Sequence, residues 1–321
     1  MEERESDAPA SLMRVGVIGA GAVGGALALA LAARGAQAGL ALVAVASRSL
    51  AHAQYVAERV PGCEALASVD KLAERCDLVF IATSDDAIRS VAESIAWRPG
   101  QVVAHLSGAV GVAPLAAAAA RGARVAALHP LMTFPRALRD AGAAQVLVRL
   151  AGTTWALECA DAPLAAQLTR FVEALEGRVI LLTEADRAPY HLSGVLASNY
   201  VVTLLASAAD LWAGWGVNRD EALRALLPLL RATVENLETV GLPGALTGPI
   251  ARGDVGAVRI HEAWLRANPS PDGPELRAAY EALARLALPL AREKGALTPP
   301  AEQAIRRALG GDPETSQESS G

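Results

Sequence analysis

The sequence predicts an α/β domain that gives way to a mainly helical one. Three observations carry this. A glycine-rich turn near the start follows an apolar run and opens an apolar helix pattern. Short, continuously apolar runs then alternate with helical patterns as far as Phe134. From Ala185 onward the pattern is helical. Continuous apolar strands alternating with helices indicate a parallel sheet covered on both faces.

The turn places Gly19, Gly21 and Gly24 in the pattern G-x-G-x-x-G, between the run Arg14–Ile18 and the helix pattern Ala26–Ala33. This is the strand, turn and helix start of a Rossmann-type dinucleotide-binding unit. Gly19 permits the sharp turn, Gly21 lets backbone approach a pyrophosphate, and Gly24 lets the helix pack close to the strand. With Ala20, Ala22 and Val23 they form the expected cofactor loop. The helix N-terminus offers unpaired N–H groups and a positive dipole end to the phosphates.

The second strand, Leu40–Ala46, runs into Ser47, Arg48 and Ser49 with no carboxylate. An acidic residue there would bind a ribose 2′-hydroxyl and signal NAD. A guanidinium between two hydroxyls suits a 2′-phosphate instead, so the expected cofactor is NADP(H). Ser47 or Ser49 also reads as a cap for the helix Leu50–Arg59, and the two readings are compatible.

Cys76–Thr83 is the next strand, Asp85 and Asp86 open a helix to about Trp97, and Gln101–Leu106 and Arg124–Leu128 are further strands. Ligands in such sheets bind beyond the carboxyl ends of the strands. Thr83, Ser84 and Asp85 are therefore expected at the cofactor, and Ser107, Gly108, His129 and Pro130 at the chemistry. Val146–Leu157 reads as an edge strand, Leu164–Leu175 as a helix and Arg178–Leu182 as a short strand. Helices follow over Asp186–Trp215, Arg219–Val240 with a kink at Pro228, Asp254–Ala267 and Pro274–Lys294. The division expected is a tail at 1–11, a nucleotide domain at 12–135, a connecting α/β segment at 136–182, a helical substrate and dimerisation domain at 183–296, and a tail at 297–321.

Composition narrows the function. A net charge of −5 without a basic cluster argues against nucleic acid. Cys63, Cys76 and Cys159 lie far apart, which suggests neither a metal site nor a disulfide framework. The first eleven residues are acidic and polar, unlike a signal peptide. The expectation is a reducing cytoplasm. Leu192–Trp215 is long and apolar, but Ser193, Ser198, Asn199, Thr203, Ser207 and Asp210 are spread along it. It reads as a buried central helix rather than a membrane span, and it invites burial in a homodimer interface.

Four phrases occur in order: His105–Gly108, Leu128–Leu131, Ser198–Tyr200 and Leu246–Asp254. With the N-terminal fingerprint they resemble a bacterial family that joins a Rossmann-like domain to a helical domain catalogued as domain of unknown function 2520. The match covers residues 12 to 295. The family is similar to pyrroline-5-carboxylate reductase, ketopantoate reductase and prephenate dehydrogenase, and the resemblance implies a helical part of the 6-phosphogluconate dehydrogenase C-terminal type. Some members have been considered alternative ketopantoate reductases, so ketopantoate enters as an implied substrate.

Many relatives of that group protonate the carbonyl oxygen with a lysine. This chain has only Lys71 and Lys294. Lys71 precedes its strand, at the wrong end of the sheet, and Lys294 ends the last long helix, so neither is placed for that task. A Ser and a His-Pro placed like Ser107 and His129 face the substrate hydroxyl in prephenate dehydrogenase. The resemblance implies His129 as proton donor and acceptor and Ser107 as the group positioning the oxygen. An imidazole titrates near neutral pH, as acid–base work requires. His129 satisfying backbone carbonyls at a strand end is the other reading.

His191 and Asn199 are eight apart and Ser198 lies beside them, a polar stripe on an apolar helix. The stripe lines a cleft toward the nicotinamide or forms a network across a dimer interface. His105 lies within an apolar strand and reads as structural; His52 and His261 sit on polar helices. In the loop Thr247–Asp254, Arg252 suits a substrate carboxylate, with Thr247 and Asn236 beside it, while Asp254 reads as a helix cap. Thr233 shares a helix face with Asn236.

The expected protein is thus an NADPH-dependent reductase of a small anionic carbonyl or imine compound, a homodimer acting in a cleft between its two domains, without metal, membrane or nucleic acid. A non-catalytic NADP(H)-binding sensor or assembly protein, and a prephenate-dehydrogenase-like oxidation with His129 as base, are the alternatives.

Overall fold

The computed structural model describes residues 12–136, 140, 142–268 and 273–310. The tails expected at 1–11 and beyond 310 fall outside those residues. The chain divides into two compact units, Met1–Asn199 and Tyr200–Gly321.

The first unit is built on eight strands: β1 Met13–Ile18, β2 Leu40–Ala46, β3 Glu64–Leu66, β4 Leu78–Ile81, β5 Val102–His105, β6 Arg124–Pro130, β7 Thr154–Glu158 and β8 Arg178–Leu181. They run in the order β3-β2-β1-β4-β5-β6-β7-β8. All neighbours are parallel except β6 and β7. Alternate residues enter opposite cores: Leu78, Phe80, Val102 and Ala104 join one apolar cluster, and Val79, Ile81 and Val103 the other. This period of two is why the strands read as continuous apolar runs. Strand order reverses at β1, between β2 and β4, and that opens a crevice at the carboxyl ends of the strands.

Helices α1 Ala22–Arg34, α2 Leu50–Ala57, α3 Val69–Arg75, α4 Asp85–Ser94 and α5 Ala116–Ala120 connect the parallel strands. Val146–Leu157 is not one strand: it holds most of α6, Ala143–Leu150, and then β7. Val146 and Leu150 are the buried residues of α6, and their spacing of four fits one face of a helix and one face of a strand alike, so the period does not separate the two. Helix α7, Ala162–Ala174, starts where Asp161 accepts the Leu164 N–H at 2.9 Å. The segment expected as a connector thus supplies β7 and β8 to the same sheet.

The expected helix Asp186–Trp215 is composite. It consists of α8 Arg187–Gly194, a π turn at Val195–Asn199, α9 Tyr200–Asp210 and a 3₁₀ segment Leu211–Trp215. The stretch Glu184–Trp215 is long and apolar enough to cross a membrane by length and composition, and only 6% of its most apolar window is buried within the chain. The chain itself therefore does not bury this helix as the sequence suggested.

The second unit continues with α10 Arg219–Gly244, α11 Gly248–Arg252, α12 Val255–Ala267, α13 Gly273–Glu293 and α14 Pro299–Ala308. Pro228 does not break α10; the backbone departs from helical angles at Gly241 (φ 61°) and Leu242. Gly241 takes the left-handed conformation at no Cβ cost. Residues 299–308, expected within a tail, are helical because Ile305 is fully buried with Val258, Leu288 and Leu309.

Candidate functional site

The glycine loop shows three different physical demands. Gly19 has φ +106°, and a Cβ there would sit 2.5 Å from the Ala82 carbonyl oxygen. A Cβ on Gly24 would strike the Gly19 carbonyl and lie 2.9 Å from Ala82 Cβ. A Cβ on Gly21 would meet nothing within 4 Å. Protein packing therefore explains Gly19 and Gly24 but not Gly21, whose bare backbone leaves room for something else to approach. Gly21 is also the N-cap of α1 and places no side chain over the helix end, and the first turn carries no acidic residue. The N–H groups of that turn are free to receive an anion.

A cleft of about 1090 Å³ lies over this loop. It is lined by Gly19, Ala20, Gly21 and Ala22, by Ser47, Arg48, Ser49 and His52, by Thr83 and Ser84, and by Arg136. Among the described residues its lining contains two arginines and no carboxylate. Neither Arg48 nor Arg136 has an ion-pair or hydrogen-bond partner among the described residues. Ser49 occupies the N-cap position of α2, yet its side chain makes no capping bond, so its hydroxyl is available to a ligand. The same holds for Ser84 at the start of α4. These groups fit a dinucleotide carrying an extra phosphate.

Two residues expected at the cofactor do not line this cleft. Val23 packs with Leu27, Leu106, Pro130 and Trp155 in the apolar layer, because α1 has turned it toward the sheet. Asp85 does not line the cleft; its charge acts instead on His105 and His129. Arg136 carried no signal in the sequence, since it follows β6, far along the chain from the fingerprint.

His129 lies near the end of β6, at the same edge of the sheet as the glycine loop, because β1, β4, β5 and β6 are parallel. Its Nδ1 is 2.8 Å from the Tyr190 hydroxyl, and the two rings meet edge to face at 5.6 Å. Burial, then the nearby Arg187 cation, pushes the imidazole down to about 4. His129 is therefore neutral at pH 7 and does not titrate near neutrality as its residue type suggested. Burial raises the Tyr190 phenol to about 12. A Cβ on Gly108 would lie 2.8 Å from His129 Cε1 and Nε2, so the glycine of the His105–Gly108 phrase gives the ring its seat.

Ser107 is buried, and its Oγ accepts the Ala109 and Val110 N–H groups at 3.2 and 3.3 Å. Its hydroxyl hydrogen remains free to donate. His105 donates from Nε2 to the Gly111 carbonyl at 2.8 Å and accepts the Ser107 N–H at Nδ1 at 3.1 Å. Both ring nitrogens are engaged, and the ring organises the loop after β5.

Three residues that sequence reasoning missed hold this region together. Arg187 Nε donates to Glu158 Oε2 at 2.9 Å, with side chains 3% and 14% exposed. Arg187 also donates to the Ala127 carbonyl at 3.3 Å, which ties α8 to β6. Arg187 and Tyr190 are one turn apart and both buried on α8, so the ion pair aims the phenol at His129. The spacing Arg-x-x-Tyr after a Thr183–Asp186 capping box was visible in the sequence; the partners were not.

His191 is exposed and close enough to His129 to act on its charge. The π turn at Val195–Asn199 lies between His191 and Asn199, so simple helical spacing does not relate them. Asn236, Thr247 and Arg252 are exposed in the second unit. Asp254 caps α12 by accepting the Ala257 N–H at 3.0 Å. Lys294 Nζ donates to the Gly244 and Leu246 carbonyls at 2.8 and 2.7 Å, a structural clamp on the loop before α11. No group of three or more metal-binding side chains is found among the described residues.

Residues 1–130 match the profile of the Rossmann-like domain, and residues 153–287 match the domain of unknown function 2520. No curated protein matches the chain. Among solved structures, a Bacteroides fragilis protein provisionally described as an NADP oxidoreductase has 22% identity and a TM-score of 0.66, over 87% of this chain and 98% of its own. A 1-pyrroline-5-carboxylate reductase from Streptococcus pyogenes has 18% identity and a TM-score of 0.52, over 94% and 98%. A reductive aminase from Aspergillus terreus, solved with NADPH and ethyl-5-oxohexanoate, has 18% identity and a TM-score of 0.56, over 94% and 96%. These likenesses show a shared fold.

Proposed function

We propose that this chain, in which a Rossmann-like domain is joined to a domain of unknown function 2520, is an NADPH-dependent reductase of a small anionic carbonyl or imine compound. The observation that carries the reading is the cleft over Gly21, whose lining among the described residues holds Arg48 and Arg136 and no carboxylate. Solved relatives described with NADP or NADPH support the same choice of cofactor.

When bound, NADPH supplies the hydride. The α1 N-terminus and Gly21 backbone would hold its pyrophosphate, and Ser47, Arg48 and Ser49 its 2′-phosphate. His129 and Ser107 would hydrogen-bond the oxygen or nitrogen of the substrate's double bond, and such donors act where charge develops. His191 and Asn199 are proposed beside them. Arg252, which has no ion-pair partner among the described residues, is proposed to take a substrate carboxylate with Thr247 and Asn236. Ketopantoate is the first substrate to try. We also propose that a second copy of the chain covers the exposed Leu192, Leu196, Val202 and Leu204; sedimentation of a monomer at micromolar concentration would refute this.

The test is titration with NADPH and NADH, followed by NADPH oxidation with ketopantoate and with cyclic imine carboxylates. Tighter binding of NADPH and turnover with one substrate class is the expected result. Failure to bind either dinucleotide overturns the reading.

A further inference from the structure

Tyr190 is 9% exposed, and the only hydrogen-bond partner of its phenol among the described residues is His129 Nδ1, at 2.8 Å. A buried hydroxyl hydrogen is costly to leave without an acceptor. If Nδ1 carried the ring proton and donated to the phenol oxygen, the phenol hydrogen would have no acceptor. If the phenol donates, Nδ1 accepts and both atoms of the contact are satisfied. A neutral imidazole then carries its proton on Nε2. Nε2 has no partner among the described residues, and it borders Gly108, where a Cβ would collide with the ring. Tyr190 is itself held by the buried Arg187–Glu158 pair one turn earlier.

We infer that Tyr190 is a positioning residue that fixes His129 in the tautomer protonated on Nε2, so that a neutral ring presents an N–H to the substrate. This rests on the reductase reading for its use, though not for the tautomer. The ring then works as a hydrogen-bond donor to the oxygen or nitrogen that gains charge as hydride reaches the adjacent carbon. It is not a cation at neutral pH. A serviceable reductase with this arrangement does not need the lysine that this chain lacks at the strand ends.

The experiment is nitrogen NMR of the ¹⁵N-histidine-labelled full chain at pH 7, with His129→Gln to assign the signal. The wild-type protein should show His129 protonated on Nε2 alone, and Tyr190→Phe should show both tautomers. With a turned-over substrate, Tyr190→Phe should lower kcat by about tenfold or more and leave the KM for NADPH unchanged. A wild-type ring protonated on Nδ1 overturns the inference even if the variant fails to fold. So does a Tyr190→Phe ring that keeps the wild-type tautomer. An Nε2-protonated wild-type ring in a protein that reduces no carbonyl or imine supports the positioning and overturns the reductase reading.

Discussion

His129 lies so close against Gly108 that a Cβ there would sit 2.8 Å from both Cε1 and Nε2 of the ring. The backbone at that point is ordinary, so the constraint is space and not conformation. Gly108→Ala should move the imidazole by a fraction of an ångström. Such overpacking costs about 1–3 kcal/mol, and a misplaced catalytic group loses about 100-fold in rate. Urea unfolding and kcat on the same variant should therefore show a modest stability loss beside a large activity loss. Unchanged kcat would remove His129 from the chemistry.

Arg187 and Glu158 form a buried pair, 3% and 14% exposed at the side chain. Removing one partner leaves an uncompensated charge in the interior, which costs about 3–5 kcal/mol. Arg187→Met and Glu158→Gln should each lower the urea midpoint strongly. The double variant Arg187→Met with Glu158→Met should recover much of the loss, because apolar packing replaces the pair. A double variant as unstable as the sum of the singles would count against this account.

The neutral His129 also predicts how stability varies with pH. Its folded value is about 4, below the ordinary 6.5. Between those values the unfolded chain binds the proton more readily than the folded one, so stability rises with pH across that window and falls as the pH drops from 6.5 toward 4. The effect is at most about 3.5 kcal/mol for this ring. His105, lowered by burial, acts in the same direction. Comparing urea midpoints at pH 7 and pH 5 should show a smaller difference in His129→Gln than in the wild type.

Arg48 and Arg136 should separate the two nicotinamide dinucleotides. A charged hydrogen bond to phosphate is worth about 1.5–3 kcal/mol, or about 10- to 100-fold in affinity. Arg48→Ala should weaken NADPH by that factor and leave NADH within about twofold. Arg136→Ala tests whether the second arginine shares the 2′-phosphate or serves the pyrophosphate; in the second case both dinucleotides weaken together. Calorimetric titration of each variant decides it.

Lys294 bridges the Gly244 and Leu246 carbonyls from an exposed position. Lys294→Met should cost about 1 kcal/mol and loosen the loop before α11. Amide hydrogen exchange at residues 244–247 should speed up while the first unit keeps its protection. Equal exchange in both proteins would show that the clamp is incidental.

The sequence by itself determined the nucleotide unit. A glycine turn between an apolar strand and an apolar helix is a local pattern that spans only a few residues of chain. The cluster Ser47–Ser49, the cap at Asp254 and the apolar strands are legible for the same reason. Where a pattern was short and apolar, period alone misled: Val146 and Leu150 form a helical stripe that reads equally as strand. Only the tertiary structure decided the candidate chemical centre. Tyr190 reaches His129 across 61 residues, Arg187 reaches Glu158 across 29, and Arg136 joins a cleft whose first glycine is Gly19. Burial then changed the character of the groups themselves, since the charge state of His129 depends on desolvation and on a cation that no neighbouring residue in the chain supplies.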